Sequence, residues 1–344
     1  MKKWVQRLGR GLGAVVVATL FIGVAYEQTG RYQTVRRYPP PGRMVDIGSR
    51  RLQLDCRGAG SPTVVFESGL VSEGSLSWTA VQTPIAAVTR ACSYSRAGIM
   101  WSDPRPGPFS GKQAAEDLHA LLSRAGEKGP FVLVGHSLGG PYNMIFTKYF
   151  GAGVAGLVFV ESAHPDQDKR AAVIVPANLP PEPHWQLPLL SALSWTGATR
   201  NYAHQTSSPS DLMPHQLASD FDADVDYFPT SLRAFIQETD AMPDTFAEAG
   251  TLRDPGARPV YVLAATRKMH PSHLLTAEMG KQLDQAREDM DHEMASWSSR
   301  GQLEWVDSPE HYVQFYHPEA VVNAVKSVVE SARAEQAAQT HNGH

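Results

Sequence analysis

The chain is poor in several things, and each scarcity removes a class of function. It carries two cysteines in 344 residues, too few for a disulfide-dense scaffold or a thiolate-ligated metal cluster. Charged residues make up 19%, the formal net charge is −4, and no basic block follows the first fifty residues. Nucleic-acid binding therefore has no compositional support. There are 13 histidines, yet none is spaced as His-x-x-x-His, and His270 with His273 falls in a loop-like stretch, so no metal is expected. No Gly-rich dinucleotide or phosphate loop occurs, and no cofactor is expected. The sequence shows no internal repeat.

What is present is apolar and ordered along the chain. Apolar residues reach 42%, enough for a sizeable core in one large α/β domain or two smaller ones. At the N-terminus, Lys2, Lys3, Arg7 and Arg10 precede the charge-free stretch Gly11 to Tyr26, and Gly23-Val24-Ala25 offers small residues at a cleavage spacing. Residues 1–26 thus read as a signal peptide or a membrane anchor, the association running through residues 4–26. The run is shorter than the roughly 20 residues of a spanning helix unless Trp4, Val5 and Leu8 contribute. Either reading implies an exported protein, periplasmic or anchored in the inner membrane and facing the periplasm. Residues 27–43, with Pro39-Pro40-Pro41, read as an extended stalk.

From Met44 onward, strand and helix patterns alternate. Two alternating segments around Gly48-Ser49 suggest a hairpin. Short apolar strands follow at Thr63–Glu67, Arg90–Tyr94, Phe131–Val134 and Ala155–Val160, separated by helical patterns at Trp78–Val88 and Gln113–Leu122. Strands separated by helices imply a mostly parallel sheet covered on both faces. Residues 164–258 break the alternation with Pro176, Pro180, Pro181, Pro183 and Pro188 and several aromatics; a stretch this long should be an inserted lid rather than a loop. The pattern resumes at Pro259–Leu263, with a helix near Leu274–Trp297, a strand at Gln302–Val306 and a closing helix at Glu319–Ala332. The core then comprises 44–163 and 259–333, and 334–344 reads as a flexible tail.

The most informative segment is Gly135-His136-Ser137-Leu138-Gly139-Gly140, directly after the strand Phe131-Val132-Leu133-Val134. Gly-x-Ser-x-Gly between a strand and a helix places a serine hydroxyl at the exposed tip of a tight turn. Glycines two residues either side leave no Cβ to obstruct that backbone. A serine hydroxyl is a poor nucleophile at neutral pH and needs an adjacent base; His136 neighbours it in sequence but points elsewhere at this turn position.

With these pieces the chain resembles the α/β-hydrolase superfamily, from about Met44 to Ala332, and most resembles exported or membrane-anchored bacterial members. Val64-Val65-Phe66-Glu67-Ser68-Gly69-Leu70 is similar to the family's strand and oxyanion loop, Tyr94-Ser95-Arg96-Ala97-Gly98 to the next strand end, and His311-Tyr312-Val313-Gln314 to the closing histidine loop. The resemblance implies an α/β-hydrolase fold: a mostly parallel eight-stranded sheet flanked by helices, with an inserted, mainly helical lid. It implies Ser137 as nucleophile and His311 as base, with His317 as rival. Backbone N–H groups of Leu138 and Leu70 would form the oxyanion hole. Many members carry the third residue, a carboxylate, after the strand corresponding to Pro259–Leu263, but here that segment continues Ala264-Ala265-Thr266-Arg267-Lys268-Met269-His270 with no acid. Other members place it one strand earlier, which points to Glu161; Asp307, Asp284 and Asp291 stay open. The family's strand order sets the second strand against the fourth, so Cys56 and Cys92 could pair as a disulfide in an exported protein.

The expected activity is hydrolysis of a small carboxylic ester through an acyl-enzyme on Ser137. Lid residues Trp185, Trp195, Tyr202, Tyr227 and Phe228 hint at an apolar or aryl substrate group. Amidase, thioesterase, lactonase and acyltransferase chemistry remain open on the same residues. A non-catalytic, membrane-tethered binding module of this fold is the rival from another class, and the missing acid after Leu263 is its best argument.

Overall fold

A computed structural model describes residues 2–175, 186–268 and 275–342. The proline-rich stretch 176–185, with Trp185, and the His270/His273 pair lie outside the described residues.

Eight strands form one sheet: β1 (Arg43–Asp46), β2 (Arg51–Arg57), β3 (Thr63–Glu67), β4 (Ala91–Tyr94), β5 (Phe131–His136), β6 (Val154–Val160), β7 (Val260–Ala265) and β8 (Gly301–Val306). The helices are α1 (Lys2–Arg37), α2 (Thr79–Ala86), α3 (Gly111–Ala125), α4 (Gly139–Phe150), α5 (Gln167–Ile174), α6 (Gln186–Ala192), α7 (Ala198–Thr206), α8 (Ala218–Asp240), α9 (Met242–Ala249), α10 (Ala277–Ser296), α11 (Val313–Tyr316) and α12 (Pro318–Asn342). The strand order is β1-β2-β4-β3-β5-β6-β7-β8, and only β1 with β2 and β2 with β4 pair antiparallel. The expected eight-stranded α/β-hydrolase architecture is the observed one.

The central strands are apolar on both sides because helices cover both faces. Val65, Leu133, Leu157, Phe159 and Val262 pack with Leu118 and Leu122 of α3 and Ile145 of α4. The alternate residues Val64, Phe66, Val132, Val134, Val158 and Val160 pack with Ile85 of α2 and with Val321, Val325, Val328 and Val329 of α12. A fully buried side chain of this kind contributes roughly 1.5–3 kcal/mol, so this two-sided core pins the sheet and the strand ends that carry the site.

Cys56 stands directly opposite Cys92 in the β2–β4 register, and the two form a disulfide. Antiparallel pairing brings their Cα atoms to 4.0 Å.

Two boundary expectations are corrected. Residues 27–37 are not an extended stalk but the second half of α1, a 36-residue helix; the chain becomes non-helical only at the prolines, which cannot continue a helix. The C-terminal tail is likewise helical to Asn342. Arg333 holds it by donating to the carbonyl of Ser61 at 2.8 Å, and Arg300 pairs with Glu335 at 2.8 Å.

The insertion between β6 and β7 is helical. Its last helix, α9, returns to the core: Phe246 packs with Leu138 and Tyr142, and Ala249 is fully buried in the central cluster. Helices α6 to α8 form the cap proper. Of its aromatics, Tyr227 is interior: it packs edge-on to Trp101 at 5.5 Å and donates to the carbonyl of Tyr38 at 3.1 Å.

Candidate active site

Ser137 sits between β5 and α4 with φ of +52°, a left-handed conformation that costs a non-glycine residue free energy unless its surroundings enforce it. The enforcement is visible. Its N–H donates to Val160 at 3.3 Å, and its carbonyl accepts from Gly140 at 3.1 Å and Ala163 at 2.9 Å. Gly135 is required here, because a Cβ on it would lie 2.6 Å from the backbone of Gly139. The loop after β3 closes the other side: a Cβ on Gly69 would come within 2.9 Å of the Ser137 Cβ. Leu70 therefore follows a residue pressed against the serine, and Leu138 begins the helix behind it. The two leucines pack in one small cluster with Tyr142.

Ser137, Glu161 and His311 line a common cavity of about 250 Å³, together with Arg267, Arg287 and Asp291. Glu161 directly follows β6 with φ of +42°, and its side chain reaches the end of β7. Its carboxylate accepts from the Ala265 N–H at 2.7 Å and from the Arg267 guanidinium. The Nδ1 of His311 faces the same carboxylate at 3.9 Å, beyond hydrogen-bonding distance, and has no hydrogen-bond partner among the described residues. Burial raises the Glu161 pKa, but His311, Arg267 and the Ala265 N–H outweigh it and hold the group at about 2. The segment after β7 thus supplies donors rather than an acid, and Glu161 reaches into the place they define.

Of the other candidate acids, Asp291 lines the same cavity, whereas Asp307 and Asp284 do not. Asp307 is exposed and accepts from the Thr266 hydroxyl at 3.1 Å. Neither Asp284 nor His317 lines the cavity; His317 directly precedes α12, its Nδ1 3.6 Å from Glu319. None of Trp195, Tyr202, Tyr227 and Phe228 lines it either.

Two residues matter more than the sequence suggests. His136 is buried, and its Nε2 lies 3.0 Å from the backbone carbonyl of His311. Burial and the neighbouring His311 push its pKa down to about 3. The neutral ring then carries its one proton on Nε2, since a carbonyl can only accept. His136 thereby fixes the loop that presents His311. Arg96, 3% exposed, donates to the carbonyls of Ser68 and Gly69, each at 2.6 Å. It also pairs with Glu67 at 2.6 Å and Glu238 at 2.7 Å. This arginine orients the loop ahead of Leu70 and ties it to α8 of the cap. Its only sequence signal is a charged residue at the end of an otherwise apolar strand.

Asp291 of α10 is 4% exposed, lies 3.6 Å from Arg287, and leaves one carboxylate oxygen without a hydrogen bond. Burial, and secondarily Glu161, push its pKa up to about 7 against the arginines. A raised carboxyl pKa destabilises the fold progressively as pH rises from about 4 to about 7. Asp291→Asn should therefore be more stable than wild type at pH 8, by on the order of 2 kcal/mol, and equal to it near pH 4. Urea melts at the two pH values check this; an equal difference at both would refute it.

The alpha/beta hydrolase family model matches residues 48–324, and the chain belongs to this family. Among solved structures it is similar to a thermophilic esterase from Thermogutta terrifontis, at 17% identity and TM-score 0.53, covering 84% of this chain and 98% of that one. It is similar to Est816, described as an N-acyl homoserine lactone degrading enzyme, at 16% identity and TM-score 0.55, covering 83% and 99%. The epoxide hydrolase CorEH matches at 16% identity and TM-score 0.59, covering 83% and 97%. These likenesses are of fold. Shorter stretches match curated proteins: 35% identity over 128 residues to a probable transporter, efuK, of Hormonema carpetanum, and 38% over 106 residues to an uncharacterized vacuolar membrane protein of Saccharomyces cerevisiae. These cover 35% and 30% of this chain and 18% and 16% of those proteins, so the chain spans less than a fifth of their length.

Proposed function

We propose that this hydrolase-family chain is a serine hydrolase that cleaves a small carboxylic ester through an acyl-enzyme on Ser137. The observation that carries the reading is the strained serine, at φ of +52°, in one cavity with His311 and Glu161. His311 takes the Ser137 Oγ proton as Oγ bonds to the ester carbonyl carbon. The oxyanion that forms is met by the backbone N–H groups of Leu138 and Leu70. The tetrahedral carbon then expels the alcohol, which leaves with the proton from His311. Water repeats the cycle on the acyl-enzyme, releasing the acid and restoring the serine. Glu161, ionised and aimed at Nδ1, holds the imidazole tautomer and offsets its transient positive charge. No metal or cofactor enters this scheme. Epoxide opening and dehalogenation in this fold use a carboxylate nucleophile, whereas the nucleophile position here holds Ser137.

The reading includes a retained anchor in an exported protein. α1 contains a stretch with mean hydropathy 1.6, long and apolar enough to cross a membrane. Its second half is built into the cap through the buried Glu27–Arg200 pair at 3.0 Å, and the contact starts inside the cleavage spacing itself, with Gly23 lying on the carbonyl of Thr196, which favours retention over cleavage.

A fluorophosphonate, which phosphorylates an activated serine, tests the catalytic reading. One equivalent should attach to the full-length protein, on the peptide containing Ser137, and abolish turnover of a short-chain aryl ester. No labelling together with no ester turnover would favour a non-catalytic binding module.

A further inference from the structure

The cap carries a second apolar surface, on the side of the cap where α1 docks. On the first half of α1, Trp4 is 68% exposed, Val17 67% and Phe21 75%. The second half is packed. Glu27 is fully buried and Thr34 is 3% exposed, and Arg200 of α7 reaches both, at 3.0 Å and 3.3 Å. Contact begins at Gly23, whose missing side chain lets the helix lie directly on the carbonyl of Thr196. Beside this seam the cap leaves Leu189, Leu193 and Trp195 in the open, at 49%, 37% and 50% exposure. Leu193 also lines an apolar groove with Leu20, Ile22, Tyr26 and Ala198.

We infer that this face of the cap, Leu189, Leu193 and Trp195, rests in the boundary layer of the lipid bilayer that α1 crosses. The inference rests on α1 being a retained anchor and follows from lengths. At 1.5 Å per residue the charge-free stretch Gly11–Tyr26 covers about 24 Å of a hydrocarbon core roughly 30 Å thick. Arg7 and Arg10 complete the span at its far end, their long side chains reaching toward the headgroups. The near edge of the hydrocarbon then falls between Gly23 and Glu27, the first acid of the chain. Thr196 touches the helix at that level, so Trp195 and Leu193 stand at the same depth. Trp suits this layer, having an apolar body and a polar N–H. The groove beside Leu193 opens at the same level and would hold an acyl chain of the bilayer. The cap is thereby held at the membrane by two attachments, the helix and its own apolar face.

The test uses full-length protein in phosphatidylcholine–phosphatidylglycerol vesicles, with a nitroxide on Leu193→Cys and, separately, on Leu189→Cys; the native cysteines are occupied in their disulfide. Glu330→Cys, exposed on α12, is the aqueous reference. At 193 and 189 the ratio of oxygen to water-soluble nickel-chelate accessibility should exceed that at 330 by at least ~5-fold, as for a side chain within the lipid boundary. Equal ratios, with protein that sediments with the vesicles and resists carbonate extraction, would overturn the inference and leave the anchor standing. Protein that does not sediment with them would overturn both. Exclusion of both probes with spin–spin broadening would assign the face to a second copy of the chain and also overturn it. Ser137→Ala protein should give the same ratios, so the result is independent of the proposed catalysis.

Discussion

Glu161→Gln is expected to lower kcat for a short-chain aryl ester by roughly 10³–10⁴-fold, and to lower stability at neutral pH as well. The amide is nearly isosteric, but the Ala265 N–H and Arg267 donate to different carboxylate oxygens, so only one of them keeps an acceptor. What disappears is the negative charge facing Nδ1 of His311, and with it the preference for the tautomer whose Nε2 can take a proton. The carboxylate is held at about 2, below its unfolded value near 4.5. Its charge therefore stabilises the fold at neutral pH, and that contribution fades as pH falls from about 4.5 toward 2. An acid limb in the rate profile near neutrality would accordingly report another group. Parallel measurements on Asp307→Asn and Asp291→Asn complete the experiment. Full kcat in Glu161→Gln alongside its loss in either asparagine variant would move the third role away from Glu161.

The largest stability effect is expected at Arg96. Arg96→Ala should cost about 3–5 kcal/mol in a urea melt, because it strands two carboxylates that stay buried. Glu67 and Glu238 are 2% and 1% exposed, and neither has water enough to replace the guanidinium. Burial pushes the Glu67 pKa up, with Arg96 and Tyr94 opposing it, so losing the arginine favours proton uptake by Glu67. Arg96→Lys should recover only part of the loss, since an ammonium cannot fork to two acids and two carbonyls at once. At temperatures where Arg96→Ala remains folded, ester turnover should also fall, because the carbonyls of Ser68 and Gly69 lose the donor that aims the Leu70 N–H. A wild-type urea midpoint for Arg96→Ala would contradict this account.

Much of the architecture was legible because strand and helix patterns are local. Each strand of the parallel sheet is a short apolar run that needs helices on both faces, and the runs fall in the sequence where the structure has them. The serine turn was legible for the same reason: six adjacent residues contain the strand end, the turn and the helix start. The errors came at the termini. Polar residues 27–37 read as a stalk because nothing adjacent in sequence covers them; Arg200, which buries Glu27, is 173 residues away. The tail 334–344 read as flexible because what holds it, Arg300 on Glu335, lies on a distant segment.

The sequence by itself determined the sheet, the position of Ser137 on its turn, and the absence of an acid after β7. These depend on neighbours within a few residues, whose backbone preferences and side-chain period are written consecutively. Only the tertiary structure decided which carboxylate faces His311, since β6 and β7 must pair side by side for Glu161 to reach Ala265 and Arg267. The same holds for the bond from His136 to the His311 loop, for Arg96 binding core to cap, and for α1 lying against Arg200. Each joins groups far apart in the chain, and a buried charge or polar contact forms there only after the apolar layers have closed around it.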